Sequence, residues 1–210
     1  MRYNFIAIEG NIGAGKTSLA TRISTDYNAK LILEQFEDNS FLPKFYEDPD
    51  KYTFPLEMSF LASRFQQLKD QLGPQDLFKS FTISDYYITK SLIFAHKTLS
   101  EDEYNLYTRF FNIVRNQLPK PDLYVFLHLE TGKLQENIKS RGRSYEKEIQ
   151  AEYLNKIQDG YFDFIKQQPD MRILILDTNS IDFVNKESDY RKLVEVIDKD
   201  YEKGIHRITF

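Results

Sequence analysis

The sequence predicts an α/β fold, a doubly wound five-stranded parallel sheet with helices on both faces. Three observations lead there. Short apolar runs alternate with longer stretches whose apolar residues recur at helical spacing. A Gly-rich turn directly follows the first apolar run. The 210 residues are enough for one domain and too few for two of ordinary size plus a linker, so residues 1–210 are read as a single domain.

Taken in order, strands are expected at 3–9 (YNFIAIE), 30–34 (KLILE), 80–84 (SFTIS), 122–129 (DLYVFLHL) and 172–176 (RILIL). A helix over 16–26 follows the Gly-rich turn. The next, over 56–72, places Leu56, Phe60, Leu61, Phe65, Leu68 and Leu72 on one face. Further helices are expected at 86–97, 101–117, 132–141 and 147–167. Pro119 and Pro121 end one helix and set up the fourth strand. Residues 177–190 (DTNSIDFVNKESDY) are polar and read as a loop entering a last helix.

Hydrophobic residues at 41 % and charged residues at 29 % suit a globular chain. A net charge of −4 argues against a large nucleic-acid footprint. No apolar run approaches the ~20 residues of a membrane span. The opening residues Arg2 to Ile8 lack the pattern of a secretory leader. With no cysteine, disulfides, thiolate metal sites and cysteine nucleophiles are excluded. A cytoplasmic location is expected, with neither membrane nor nucleic acid as partner. There are 17 Phe and 14 Tyr but no Trp; most suit a core, and a few suit the walls of a site for a flat nucleobase. His96, His128 and His206 show no metal-ligand spacing.

Residues Gly10-Asn11-Ile12-Gly13-Ala14-Gly15-Lys16-Thr17 fit G-x-x-x-x-G-K-[ST], between a strand and a helix that continues with Ser18. Glycines let successive N–H groups turn toward one point, and the helix N-terminus adds its positive end. Lys16 then reaches the terminal phosphates, and the Thr17 hydroxyl can take one position on Mg²⁺. This motif predicts nucleoside triphosphate binding, with ATP and Mg²⁺ as cofactors.

Ligands of open parallel sheets sit beyond the carboxyl ends of the strands. Glu34 closes the second strand and Asp85 follows the third, so both carboxylates are expected on the edge that carries the cradle. One can orient an attacking hydroxyl and take its proton; the other can hold Mg²⁺. Lys139-Ser140-Arg141-Gly142-Arg143 puts two arginines around a glycine at a helix end. Beside a triphosphate site this suits an arginine-bearing lid over the transferring phosphoryl group.

IAIEGNIGAGKTSLA, ILEQFEDNSFLPKFYEDPDKYTFPLEMSFLASRF, ISDYYITKSLIFA, LPKPDLYVFLHLE and KSRGRSYEKEI, in this order, resemble the deoxynucleoside kinases over essentially the whole chain. The bacterial deoxyguanosine kinase branch is the nearest likeness. The resemblance implies a P-loop kinase fold, and transfer of the γ-phosphoryl of a triphosphate to the 5′-hydroxyl of a deoxynucleoside. It also implies a homodimer and a role in nucleotide salvage. Glu34 matches a glutamate beside the 5′-hydroxyl, and Tyr46 and Glu146 match residues that hold the sugar 3′-hydroxyl. Asp85 matches a proton acceptor or Mg²⁺ contact, and Arg141 and Arg143 match lid arginines. The loop around Asp182 matches the one that encloses the donor's adenine. Arg64 matches a base-reading arginine, whose usual aspartate partner is replaced here, with Lys90 or Ser91 nearest.

Three further departures stand out. Tyr86 replaces an arginine beside the reacting hydroxyl, Asn137 replaces a lid arginine, and Glu57 replaces a glutamine that pairs with the base. An ionised carboxylate only accepts hydrogen bonds, so Glu57 suits guanine, which offers two adjacent donors. Alternatively, Glu57 is a solvated helix residue or pairs with Arg64 seven residues on. The expected activity is thus a purine deoxynucleoside kinase, deoxyguanosine first. The alternatives are a deoxyadenosine or broad-specificity kinase and, in another class, a P-loop switch protein.

Overall fold

Every residue of β1 (Phe5–Gly10) is buried, as expected at the centre of a sheet covered on both sides. The computed structural model describes residues 1–35, 39–73, 76–143, 146 and 149–210, with the backbone alone at Tyr46. The other strands are β2 (Lys30–Ile32), β3 (Thr82–Ser84), β4 (Leu123–His128), β5 (Arg172–Asp177) and β6 (Gly204–Thr209). They lie in the order β2-β3-β1-β4-β5-β6, each neighbouring pair parallel. Ala7 pairs with Ser84 on one side of β1 and with Tyr124 on the other. From β1 the chain crosses to the outer β2, returns to β3 beside β1, and then builds outward through β4, β5 and β6 on the other side, so strand order reverses next to the strand that feeds the Gly-rich turn.

Among the described residues the helices are α1 (Lys16–Asp26), α2 (Phe41–Glu47), α3 (Pro49–Leu72), α4 (Thr89–Thr98), α5 (Glu101–Arg115), α6 (Thr131–Arg141), α7 (Ala151–Lys166) and α8 (Glu187–Ile197). One sheet face, carrying Ile6, Ile8, Val125, Leu127, Leu174 and Leu176, joins a core with α1, α6 and α8. On the other, Phe126 stacks on Tyr161 of α7 with ring centres 5.0 Å apart, and Tyr124 on Phe164 at 6.2 Å. Period-two alternation along the strands thus sends neighbouring residues to opposite layers.

The α/β class and the parallel sheet agree with the sequence, with three additions. A sixth strand, β6, pairs with β5; its alternately half-buried and exposed residues form no apolar run. Helix α2 is short and contains Pro43. Helix α3 begins at Pro49, upstream of the expected 56, and runs through Pro55. Asp48 starts it by accepting a hydrogen bond from the Lys51 N–H at 3.3 Å. Ser100 and Glu103 form a capping box on α5. Gly142, left-handed at φ 73°, closes α6.

The described residues divide into two compact units. Met1–Leu33, Asp76–Tyr86 and Lys120–Phe210 form the first; Glu34–Gln75 and Tyr87–Pro119 form the second. The whole sheet lies in the first.

Candidate active site

In the first unit, the turn from β1 to α1 has Gly10, Gly13 and Gly15 at φ 151°, 84° and 88°. All three positions are also sterically closed: a Cβ on Gly10 would stand 2.8 Å from the Leu127 carbonyl oxygen. A Cβ on Gly13 would stand 2.7 Å from the Leu134 carbonyl oxygen, and one on Gly15 would stand 2.7 Å from Phe183 Cζ. Asn11 braces the turn: its Nδ2 donates to the Leu154 carbonyl at 2.7 Å, and its Oδ1 accepts from the Ile12 N–H at 2.9 Å. Lys16 Nζ donates to the Asn11 carbonyl at 2.8 Å, curling back over the turn. Thr17 Oγ1 donates to Asp85 Oδ2 at 2.5 Å. Asp85 is buried, and its backbone N–H is held by the Ile32 carbonyl at 3.1 Å. Two hard oxygens meet beside the Gly-rich turn, a donor set that suits Mg²⁺.

A cleft of about 670 Å³ opens beside this turn, lined by residues 13–18, by Lys133, Asn137, Arg141 and Arg143, and by Asp182, Phe183 and Asn185. Arg141 binds Glu146 through Nε at 3.0 Å and through Nη2, and Arg143 Nη1 lies 3.4 Å from the other carboxylate oxygen. Glu146 is buried. Hydrogen bonds from the Asn185 side chain and N–H hold the Asp182 carboxyl below the usual carboxylate range. Asp182 therefore shapes the loop that carries Phe183 and Asn185 along the cleft.

The second unit carries a buried charge cluster. Glu34 Oε1 accepts from Arg64 Nε at 2.8 Å and lies 2.7 Å from Arg64 Nη2, while Lys90 Nζ stands on Oε2. Arg64 Nη1 donates to Ser91 Oγ at 2.8 Å. Burial opposes the guanidinium charge, but Glu34 and Glu57 outweigh it and raise the Arg64 pKa. Phe60 lies against Arg64, 4.7 Å from ring centre to guanidinium carbon. Phe94 lies against Lys90 at 5.5 Å. Glu57 is buried with 5 % exposure. Its Oε1 accepts from Thr98 Oγ1 at 3.2 Å, and its Oε2 has no hydrogen-bond partner among the described residues. Burial raises its pKa to about 7, against the opposing pull of Arg64, Thr98 and Lys90.

The structure thus gathers the turn residues with Asp85, Arg141 and Arg143 in one unit. Glu34, Glu57, Arg64 and Lys90 share the other. The alternative pairing of Glu57 with Arg64 gives way to direct contact between Arg64 and Glu34, and the burial of Glu57 removes the alternative of a solvated helix residue. The Tyr46 side chain lies outside the described residues. In the sequence Asn137 stands out only as a missing arginine. Its Nδ2 donates to the Gly13 carbonyl at 2.8 Å, fastening α6 to the turn. Thr98 and Phe183 went unnoticed, and no short-range pattern marks either.

A family model described as deoxynucleoside kinase matches residues 6–201. Deoxyguanosine kinase of Bacillus subtilis (strain 168) is 38 % identical over 193 residues, covering 90 % of this chain and 93 % of that one. Deoxyadenosine kinase of Dictyostelium discoideum is 34 % identical over 202 residues, covering 94 % and 79 %. Among solved structures, deoxyadenosine kinase from M. mycoides with products dCMP and a flexible dCDP bound superposes with a TM-score of 0.79 at 27 % identity. It covers 92 % of this chain and 98 % of that one.

Proposed function

The chain belongs to the deoxynucleoside kinase family, and from that premise we propose that it transfers the γ-phosphoryl of ATP to the 5′-hydroxyl of a purine deoxynucleoside, deoxyguanosine first. The observation that carries the choice of base is the buried Glu57 carboxylate with one oxygen open. Guanine presents its ring N–H and exocyclic amine side by side, two donors for two acceptor oxygens. A glutamine there would offer one donor and one acceptor, the pattern that suits adenine.

On the donor side, the backbone N–H groups of residues 10–18 and Lys16 bind the triphosphate. Arg141 and Arg143 are the charges that meet the γ-phosphoryl as it moves. The loop of Asp182 sits along the donor's adenine. Thr17 and Asp85 would hold Mg²⁺, which supplies neutralisation of phosphate charge. On the acceptor side, Glu34 orients the 5′-hydroxyl and receives its proton. Arg64 and Lys90 keep that carboxylate ionised and aimed. Tyr46 and Glu146 hold the sugar 3′-hydroxyl, so Glu146 has two tasks: tethering the lid arginines and reading the sugar. Phosphoryl transfer is largely dissociative, which makes positioning weigh more than proton abstraction.

The proposal takes residues 1–210 as one kinase domain, acting in nucleotide salvage in the cytoplasm as a homodimer. No described helix is long and apolar enough to cross a membrane. The exposed stripe Leu106, Phe110 and Ile113 on α5 is the face we assign to a second copy. Sedimentation of Phe110→Glu should show a monomer. The deciding experiment is phosphorylation of the four common deoxynucleosides with ATP and Mg²⁺. Deoxyguanosine should have the highest kcat/KM, and better use of deoxyadenosine would overturn the choice of base. Nucleotide binding with no transfer to any of the four would favour a P-loop switch.

A further inference from the structure

Glu57 is placed to do more than prefer one base. It sits on α3, and the polar and titratable groups around it come from three helices. On its own helix Arg64 is committed to Glu34 and Ser91. From α4, Thr98 holds Oε1, and Lys90 is committed to Glu34. From α5, the Tyr107 hydroxyl donates to the Glu57 backbone carbonyl at 3.5 Å. Burial and the Glu57 charge raise the Tyr107 pKa, so this phenol stays neutral near pH 7. Two cations therefore act on Glu57 at a distance, and neither closes a salt bridge on it.

A carboxyl group in such a place has two hydrogen-bonding faces. Ionised, it offers two acceptors; protonated, it offers one donor beside one acceptor. The second pattern is that of a glutamine amide, and it complements the adjacent acceptor and donor of adenine. Resting on the assignment of Glu57 to the base, we propose that the proton on Glu57 chooses between purines, the ionised enzyme taking deoxyguanosine and the protonated enzyme taking deoxyadenosine. Burial places the exchange near neutrality, with a pKa of about 7. A single side chain then gives one kinase two substrate forms in equilibrium, and each nucleoside selects its own form.

The test is the pH dependence of a ratio. The kcat/KM values for deoxyguanosine and deoxyadenosine are measured from about pH 6 to about pH 8.5 with ATP and Mg²⁺ held constant. Titrations common to both reactions cancel in the quotient. The deoxyguanosine to deoxyadenosine ratio should rise by up to about tenfold per pH unit, since one reaction follows the ionised fraction and the other the protonated fraction. In Glu57→Gln the ratio should favour deoxyadenosine and stay flat. A flat ratio in the wild type overturns the inference, as does an equal slope in Glu57→Gln. Where Glu57→Gln shifts the preference but the wild-type ratio is flat, only the proton switch fails. Where the variant leaves the preference unchanged, the assignment of Glu57 to the base fails with it. A second measurement needs no variant. Calorimetry of the wild type in two buffers of different ionisation heat should show about one proton taken up with deoxyadenosine near pH 8 and essentially none with deoxyguanosine. Equal proton exchange for the two nucleosides overturns the inference.

Discussion

Replacing Glu34 by glutamine keeps the shape of the side chain and removes an anion in direct contact with two buried cations. Arg64 and Lys90 side chains are 5 % and 9 % exposed, and each sits on a different oxygen of Glu34. A glutamine amide can give its oxygen to one of them, and its NH₂ then faces the other, donor against donor. Breaking a buried ion pair by removing one partner costs ~3–5 kcal/mol; with one hydrogen bond retained, Glu34→Gln should cost about 2–4 kcal/mol. Out of a total near 5–15 kcal/mol, the variant stays folded with a lower urea midpoint. Turnover should fall by about 10²–10⁴-fold, the range for losing a general base and its orientation. ATP affinity should hold, because Lys16 and the lid arginines belong to the other unit. The change should also strengthen the pull of Arg64 and Lys90 on Glu57 and move the purine crossover to lower pH. The assays are saturating kcat, equilibrium unfolding in urea and ATP titration. A variant with half the wild-type turnover, or with unchanged stability, would refute this account of Glu34.

On the donor side, Lys16→Ala should abolish transfer and weaken ATP binding, while Arg141→Ala and Arg143→Ala lower kcat more than binding; effects confined to the deoxynucleoside Kd would remove all three from the donor side. Glu57 carries a pH-dependent cost. Its folded pKa is raised to about 7 from the usual ~4.3, so the native state holds the extra proton between those values. Stability should therefore fall as pH rises through that window and level off above it. The difference between wild type and Glu57→Gln should change by about 3 kcal/mol from about pH 4 to about pH 8, and a constant difference in urea unfolding would contradict it. Gly15→Ala forces a Cβ to φ 88° and to within 2.7 Å of Phe183 Cζ. It should cost about 2–4 kcal/mol, and Phe183→Ala should recover the steric part in a urea double-mutant cycle.

What the sequence shows of this site follows from how local each signal is. The Gly-rich turn is contiguous, so its spacing alone places Lys16 and Thr17. Asp85 is legible because it ends a strand next to β1, and sheet order then brings it to Thr17. The partners of Glu34 are 30 and 56 residues away, and no periodicity links them before α3 and α4 pack. Asn137 was legible as a departure from a pattern, but its grip on Gly13 depends on where α6 docks. In the fold, β6 escaped notice because a half-exposed strand at the sheet edge carries little apolar contrast. The start of α3 was obscured by Pro55, whose missing N–H normally stops a helix; here the Asp48 cap and Pro49 begin it two turns earlier.

The division into two units also sorts the candidate site residues along the chain. The turn, Asp85 and the lid come from Met1–Leu33, Asp76–Tyr86 and Lys120–Phe210. Glu34, Glu57, Arg64, Lys90 and Ser91 all come from Glu34–Gln75 and Tyr87–Pro119. On the proposed roles, a gene built this way can drift toward a new nucleoside through codons in two stretches while the stretches proposed to grip the triphosphate stay under unchanged selection. Relatives matched along nearly the same length, one a deoxyguanosine kinase and another a deoxyadenosine kinase, are what such an inheritance would leave behind. Grafting those two stretches between relatives is therefore the natural unit of exchange for anyone redesigning which base the protein accepts.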